Sequence, residues 1–509
     1  MTGELERDSS EEIVLHWEYG DVAFRHDEIQ RIVSGKQDTG ANNMTMPWEG
    51  ASGHWPYQHD VVVKLLTSTV IDAKITDVTP MTVTLSQATS GGGSIEHTIR
   101  RADIDQLLFR PIHNERSDQI AANLRTVFPA MSWFDEGLFT IVTDSDAPAV
   151  KDYRRTIREL STDWYLTFYP LLHDRAPAVQ QYLVIFDGWD GYMEYALTDG
   201  VPGWIAIGYF HPEHQVLYCF NMLGARFSEL LYEAYLGQFR DARDRVSAQF
   251  KNSRYEETVG GRLSEFLQKL EAAHGVVRQL FGQIGTDVLR HELTHAMFHN
   301  WRLQGIALSQ MAAPDPEQAQ KKREFLKTTD HEQKRQLLDE LLARRSASAP
   351  VERQAANAWF VEGLAGYMEP TPVGAINSER LAELQQAHQQ HHLLPLEFLN
   401  VFRLGSFVGM ATPSALEAYA QSWGMCHFLM RHYPDPFLRY LNRLAREQAD
   451  ANQDTLPWLC ETIGKTQRQV EQEFVDYIGQ FPHEDPFWLK QKQMLLDLRA
   501  ELLTLVSRW

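Results

Sequence analysis

Two histidines four positions apart inside an apolar helical pattern place the strongest constraint on how this chain can fold. They are His291 and His295 in VLRHELTHAMFHNW, residues 288–301, with Glu292 between them. On a helix, residues four apart lie on one face, so both imidazoles can reach a single ion. Glu292 is rotated by about 100° and can reach a water molecule on that ion. The pattern HExxH arises by chance in roughly one chain in twenty of this length, so a helix that merely carries two histidines is the alternative.

A catalytic zinc ion needs a third protein ligand and one open position. Glu362 lies in AWFVEGLAGYMEP, residues 358–370, where a glutamate within an apolar helical run is costly unless it is paired or binds a metal. We therefore predict Glu362 as the third ligand. The small residues Gly363, Ala365 and Gly366 predict a close approach between this helix and the HExxH helix.

Three other polar side chains near these motifs are predicted not to bind the metal. His299 lies one turn beyond His295 on the same helix, and its spacing does not follow the metzincin pattern HExxHxxGxxH. Glu352 and Glu369 flank the Glu362 segment and are predicted as its solvated ends.

The first part of the chain has the pattern of β structure. Residues 1–10 are predicted as a polar tail, and residues 11–112 carry β-branched runs separated by TP and SGGGS. FRHDEIQRI, which starts at Phe24, resembles IRRADIDQL, which starts at Ile99, and each fits a last strand with its exit turn. We predict one or two small Sm-like or SH3-like β-barrels here, with two unrelated amphipathic strands as the alternative.

The rest of the chain predicts an α+β fold whose C-terminal half is mainly helical. Residues 306–350 are charged and poor in large apolar residues, which predicts an exposed helical insertion. The other predicted segments are a linker at 113–134, an α+β subdomain with the HExxH helix at 135–305, and a helical subdomain with Glu362 at 351–509.

Charge and composition exclude several classes of protein. The chain has 48 Lys+Arg against 68 Asp+Glu, a net charge of −20 without a basic stripe, so a nucleic-acid partner is not expected. No apolar run approaches the roughly 18 residues of a membrane span. The cysteines Cys219, Cys426 and Cys460 lie too far apart for a CxxC zinc site. The polar start lacks a secretory signal, so we expect a cytoplasmic protein, or an exported one if the chain is a processed form.

Three motifs in order resemble a known clan of zinc peptidases. HELTH, WFVEGLAGYM and then YAQSWGMCHFLM at residues 419–430 are similar to the gluzincins, whose zinc site has the form HExxH…E. A closer resemblance is to uncharacterised bacterial domains of unknown function in the peptidase-MA-like superfamily, over roughly residues 135–480. It implies a gluzincin-type catalytic domain with one zinc ion on His291, His295 and Glu362.

The resemblance also implies roles in peptide hydrolysis. Glu292 is the implied general base, and Tyr419 stands where gluzincins place a hydroxyl that stabilises the oxyanion. The alternative for Tyr419 is a core position in an apolar helical stripe. Val361 replaces an asparagine of the aminopeptidase-N-like members, and the strand at 204–210 lacks their acidic residue, which argues against aminopeptidase specificity. Endopeptidase and exopeptidase action both stay open.

We therefore expect a zinc-dependent peptidase that acts on a peptide or protein substrate. The strand at 205–209 is predicted to pair with an extended substrate by β-addition, and His211 and His214 are predicted as turn residues. One alternative is a non-catalytic binding protein that keeps this scaffold, with the N-terminal β region as an interaction module. Another is a metal-dependent hydrolase of a non-peptide amide. The intact Glu292 favours an enzyme.

Overall fold

The computed structural model divides the chain into two compact units, Met1–Asp105 and Gln106–Trp509. Three early strands are described by their backbone, and single residues are described between 237 and 268. The other described residues are 55–89, 93–172, 175, 179–201, 208–211, 215–223, 274–301, 303, 315–348, 358–400, 413–447 and 454–481.

The first unit consists of β-strands, the last of which begins in this unit and continues into the second. They are β1 (Glu4–Asp8), β2 (Glu12–Trp17), β3 (Gly20–Arg25), β4 (Val61–Leu65), β5 (Val70–Ile71), β6 (Lys74–Val78), β7 (Thr82–Ala88), β8 (Ser94–Arg100) and β9 (Ile104–Phe109). They form three-stranded sheets in the orders β1-β2-β3, β5-β4-β9 and β6-β7-β8. In β7, Val83 and Leu85 are buried whereas Thr82 and Thr84 are partly exposed, as expected for a strand with one face on a core.

The closed Sm-like or SH3-like barrel predicted for residues 11–112 is not supported, because the described strands form three open sheets. Side-chain alternation predicts strands and their buried face, whereas closure depends on pairing between strands distant in the chain. Within the predicted polar tail at 1–10, β1 pairs with β2 in an antiparallel ladder. The first copy of the predicted repeat continues past Arg25 outside the described residues, so the repeat stays a prediction.

The second unit is built on a five-stranded mixed sheet. Its strands are β10 (Ser132–Glu136), β11 (Phe139–Thr143), β12 (Gln181–Phe186), β13 (Gly208–His211) and β14 (Val216–Phe220). The order is β10-β11-β12-β14-β13, in which β11, β12 and β14 are parallel and the two edge strands are antiparallel. Every residue of β11, β12 and β14 is buried, the pattern of strands covered on both faces. The mixed α+β class predicted from the sequence is confirmed.

Helices surround this sheet and form the rest of the described unit. They are α1 (Glu115–Val127), α2 (Ala147–Leu172), α3 (Trp189–Thr198), α4 (His274–Asn300), α5 (Pro316–Lys327), α6 (His331–Ser348), α7 (Ala358–Met368), α8 (Ser378–Gln389), α9 (Leu396–Asn400), α10 (Pro413–His432), α11 (Pro434–Glu447), α12 (Leu456–Ile463) and α13 (Gln467–Ile478). None of the helices described is long and apolar enough to cross a membrane.

Two segments differ from the sequence-based predictions. The predicted linker at 113–134 contains α1. This helix begins with a capping box formed by Asn114 and Ser117, and its apolar face is buried. The predicted exposed helical insertion at 306–350 contains the helices α5 and α6, and most of its described side chains are exposed or partly exposed, but α5 buries Lys322 and Phe325. Low apolar content predicted exposure, but a charged side chain can be buried when a partner of opposite charge is buried with it.

Helices α7 and α10 approach each other closely. A Cβ atom on Gly363 would overlap the carbonyl oxygen of Ser422, and one on Gly366 would lie 3.3 Å from the Trp423 ring. These glycines therefore allow α10 to approach α7 closely, whereas the sequence predicted that they allow the close approach of the HExxH helix. Successive helical residues are about 100° apart, so Gly363 faces a different neighbour from Glu362.

The close approach predicts that Gly363→Ala destabilises the protein. Overpacking typically costs about 1–3 kcal/mol, and that loss exceeds the roughly 1 kcal/mol by which alanine favours a helix. Urea denaturation should show the lower free energy of unfolding. Gly479→Ala is the control, because a Cβ there would meet its nearest neighbour at an ordinary 3.5 Å. Equal stability of the two variants would contradict the close packing.

Candidate metal centre

The HExxH segment lies in α4 with its apolar stripe turned into the protein. The apolar side chains of this stretch that pack inward are buried. They are Leu289, Leu293, Ala296, Met297 and Phe298. His291, Glu292 and His295 are each partly exposed. The helical period therefore leaves both histidines on the side that faces α7, as the spacing predicted.

Glu362 of α7 meets the two histidines. The Nε2 atom of His291 lies 3.1 Å from Glu362 Oε2, and that of His295 lies 3.5 Å from Glu362 Oε1. The two imidazole rings are nearly perpendicular, with centroids 4.7 Å apart. One donor atom from each of the three residues lies within 4.8 Å of the others, the arrangement of a group that could hold a metal ion. The structure thus brings together the three residues that the sequence predicted as ligands.

A second carboxylate selects which nitrogen of His291 points into this cluster. The Nδ1–H of His291 donates to Glu369 Oε1 at 2.7 Å. In the neutral imidazole, Nε2 then carries a lone pair that faces the Glu362 carboxylate. A lone pair and a carboxylate oxygen repel each other unless a proton or a cation lies between them. Without a metal a proton on Nε2 takes that place, in line with the raised pKa of His291. A divalent metal that displaces this proton would bind the same donor atoms. Imidazole and carboxylate are also the ligands that zinc accepts in catalytic sites.

The charges at the cluster are strongly coupled. Burial alone lowers the pKa of His291, but hydrogen bonds with Glu362 and Glu369 outweigh it and raise the pKa to about 10. Burial raises the pKa of Glu362, but the charge of His295 and hydrogen bonds from both histidines hold it well below its usual range. The Glu362 carboxylate is therefore anionic, as a metal ligand must be.

Glu369 was predicted as a solvated end, and that prediction is wrong because only 7% of the residue is exposed. Its Oε2 atom accepts a 2.6 Å hydrogen bond from Nδ2 of Asn377, whose own Oδ1 caps α8 at Arg380. The sequence held a usable signal, because seven residues are nearly two helical turns and place Glu369 on the face of Glu362. Carboxylates that bind the second nitrogen of a ligand histidine fix its ring and raise its basicity.

A buried arginine joins the two ligand-bearing helices. Arg290, next to His291, is 1% exposed and donates from Nε to the carbonyl oxygen of Met368 at 2.9 Å. Its Nη2 atom also reaches the Pro370 carbonyl at 3.4 Å and the Asp163 carboxylate at 3.5 Å. The last carbonyls of α7 have no helical partner, so the guanidinium satisfies them and sets the end of that helix against α4.

The carboxylate of Glu292 lies on the sheet side of the cluster. Its Oε2 atom accepts a 3.2 Å hydrogen bond from the backbone N–H of Phe210 in β13. Burial raises the pKa of Glu292, and the charges of His295 and His291 lower it only in part. Of the strand predicted at 205–209, residues 208–209 are described and belong to β13, whereas 205–207 lie outside the described residues.

Tyr419 of α10 lies within electrostatic range of the site. Burial raises the pKa of Tyr419, and the negative charges of Glu362 and Glu292 raise it further. The guanidinium of Arg380 lies 5.6 Å from the centre of the Tyr419 ring. Tyr419 is partly exposed, whereas Trp423, one turn further along α10, is buried in the core. The role as an oxyanion donor stays a prediction.

Two other described histidines, His299 and His211, lie outside the cluster. The ring of His299 packs edge-on against Phe210 at 5.2 Å, and neither ring nitrogen has a hydrogen-bond partner among the described atoms. Burial and then the charge of Arg116 lower the pKa of His299 to about 4, so its ring is neutral. His211 ends strand β13, and His214 lies outside the described residues.

Comparison with known proteins adds a family match over part of this region. A family model described as Protein of unknown function (DUF1570) matches residues 327–449. That segment includes Glu362 and Tyr419, whereas the HExxH motif precedes it. No curated protein and no solved structure matches the chain. The comparisons therefore support a domain of unknown function at 327–449, and the chemistry has to be argued from the site.

The geometry predicts that Glu369→Gln weakens zinc binding. The change removes the charge that accepts the Nδ1–H of His291, and losing such a partner typically costs about 10–100-fold in metal affinity. Competition against a zinc-binding dye measures the affinity. Glu417→Gln is the matched control, because Glu417 pairs with the exposed His392. Unchanged affinity in Glu369→Gln would contradict an orienting role for this carboxylate.

Proposed function

We propose that the protein is a zinc-dependent peptidase that hydrolyses peptide bonds with Glu292 as general base. The observation that carries the proposal is the convergence of His291, His295 and Glu362 donor atoms within 4.8 Å of one another. Two histidines and one glutamate are the ligand set of several catalytic zinc sites, which keep a fourth position open. The resemblance of the motifs to gluzincins supports the same chemistry.

The proposed roles divide between holding the metal and moving a proton. When bound, zinc supplies Lewis acidity toward a water molecule and the scissile carbonyl. His291, His295 and Glu362 hold the ion, and Glu369 orients the His291 ring. Glu292 accepts the proton of the attacking water and delivers it to the leaving amine. Burial raises the pKa of Glu292 toward the working range of a general base, which supports this role.

The edge strand β13 is the proposed substrate-binding strand. The N–H of Phe210 points to Glu292 and therefore away from β14. In an antiparallel strand the N–H and C=O of one residue point to the same side, and every second residue repeats that direction. The backbone groups of Gly208 and Phe210 thus line the outer edge beside the base. An extended peptide added there would bring its scissile bond to the metal site.

Tyr419 is the proposed donor to the oxyanion that forms on the scissile carbonyl. A tyrosine hydroxyl is protonated near neutrality and can donate a hydrogen bond, and burial moves the pKa of Tyr419 further in that direction. The influence of Glu362 and Glu292 on that pKa supports a position close to the reacting atoms. A donor aimed at developing charge acts mainly in the transition state.

The proposal predicts cleavage of a peptide library by the zinc-loaded protein and loss of cleavage with a chelator. Glu292→Gln should keep its zinc and lose turnover by several orders of magnitude, because the amide cannot accept the proton. Zinc content and single-peptide kinetics measure the two effects. In contrast, Glu362→Ala should lose both zinc and activity, since one of three ligands is gone, while His299→Ala keeps its zinc.

Three results would overturn the proposal. Full zinc content in Glu362→Ala would remove the ligand assignment. Zinc binding without cleavage of any library peptide would favour a non-catalytic binding protein, and cleavage restricted to a non-peptide amide would favour the other hydrolase class.

A separate prediction concerns the tyrosine. Tyr419→Phe removes only the hydroxyl, so kcat should fall by roughly 100-fold with KM nearly unchanged. Zinc content and Tm should stay at the values of the unmodified protein, so that a fall in kcat can be assigned to the missing hydroxyl. A near-normal kcat would place Tyr419 in the core and leave the oxyanion donor elsewhere.

A further inference from the structure

Helix α5, in the charged segment at 306–350, buries one of its lysines. Lys322 is 3% exposed, and its Nζ forms an ion pair with the carboxylate of Asp199, at the end of α3. The same Nζ lies 3.1 Å from the hydroxyl of Tyr195 and 4.8 Å from the centre of its ring. Asp199 is 2% exposed, so both members of the pair are shielded from water.

The pair is connected to strand β13. The hydroxyl of Tyr209 donates to Asp199 Oδ2 at 2.8 Å. Tyr209 precedes Phe210, whose N–H donates to Glu292. Because neighbouring side chains of a strand point to opposite faces, Tyr209 holds β13 from the α3 side while Phe210 packs against His299 of α4.

We propose that Lys322 is a positioning residue that, through Asp199 and Tyr209, fixes strand β13 against Glu292. This inference rests on the proposed function, in which that strand binds the substrate. It makes the charged segment part of the peptidase machinery, although none of the segment's described residues belongs to the metal cluster. The ligand recognised at this edge is an extended peptide backbone.

The connection from Lys322 through Asp199 to Tyr209 is expected to be rigid. A buried ammonium or carboxylate without its partner is strongly destabilising, so each member confines the other to one position. Tyr209 is the member that belongs to β13, and a hydrogen bond to a charged group is stronger than one between neutral groups. β13 is an edge strand that pairs only with β14, so side-chain contacts such as this one add to the ladder on its single paired side.

The sharpest test removes the Tyr209 hydroxyl and leaves the ion pair in place. In Tyr209→Phe, amide hydrogen exchange within 208–211 should rise by about tenfold, the equivalent of one hydrogen bond to a charged group. Exchange in β11 and β12 should not change. KM for a cleaved peptide should rise with kcat within twofold, because peptide binding must then order a strand edge that Tyr209 no longer holds in place. Zinc content should stay constant.

The control is Lys321→Met. Lys321 is the neighbour of Lys322 on α5, but it pairs with Glu340 of α6 at 2.6 Å and is not connected to β13. In the Lys321→Met variant, amide hydrogen exchange within 208–211 and the KM should equal the values of the unmodified protein. A general loss of folded protein would lower apparent kcat with KM unchanged, so the split between the two constants separates positioning from stability.

A second variant tests the lysine itself without leaving a buried charge. Lys322→Met combined with Asp199→Asn removes both charges, and the amide oxygen can still accept from Tyr209. Faster exchange in 208–211 with raised KM supports the proposal. Unchanged exchange, or faster exchange with unchanged KM, overturns it. If the unmodified protein cleaves no peptide, the proposed function fails, and exchange at β13 still decides whether Lys322 holds the strand.

Discussion

The buried guanidinium of Arg290 determines where the two ligand-bearing helices meet. An unpaired charge in this position would be strongly unfavourable, and the terminal carbonyls of α7 and the Asp163 carboxylate satisfy it. The guanidinium is planar and rigid, so its contacts fix both the distance and the rotation of α7 relative to α4. Glu362 faces His291 and His295 because that rotation is set one turn and a half beyond it, at Met368.

Two glutamates at the site differ because different groups contact them. Glu362 lies against both imidazoles, which hold its pKa well below the usual range. Glu292 accepts only a backbone N–H from Phe210, so burial dominates and raises its pKa. Environments that move two carboxyl groups in opposite directions are typical of sites in which one group holds charge and the other exchanges a proton. The contrast supports the division of roles proposed for ligand and base.

Packing around the site relies on residues that the chemistry does not use. Gly363 lets α10 approach α7 closely, which brings Tyr419 toward the two carboxylates. On the opposite side, the ion pair of Lys322 and Asp199 holds strand β13 through Tyr209. Helix α10 therefore packs on the ligand-bearing α7, and α5 reaches β13 only through Asp199 and Tyr209; neither helix contributes a proposed metal ligand.

The sequence by itself determined the parts that depend on local periodicity. A helical spacing of four placed His291 and His295 on one face, and the cost of a glutamate in an apolar run pointed to Glu362. β-branched runs separated by turn signals predicted the strands of the first unit. The structure brings the three predicted ligands together, while zinc binding and catalysis stay predictions for experiment.

Tertiary structure alone decided which faces meet. The orienting role of Glu369 and the contact of Glu292 with β13 depend on approaches between elements far apart in the chain. Side-chain alternation could not tell open sheets from a closed barrel, and helical period could not tell which helix Gly363 admits. Composition made the charged segment look exposed, yet Lys322 is buried because Asp199 is buried with it. Local pattern specifies what an element is, whereas long-range packing and the pairing of buried charges specify what it touches.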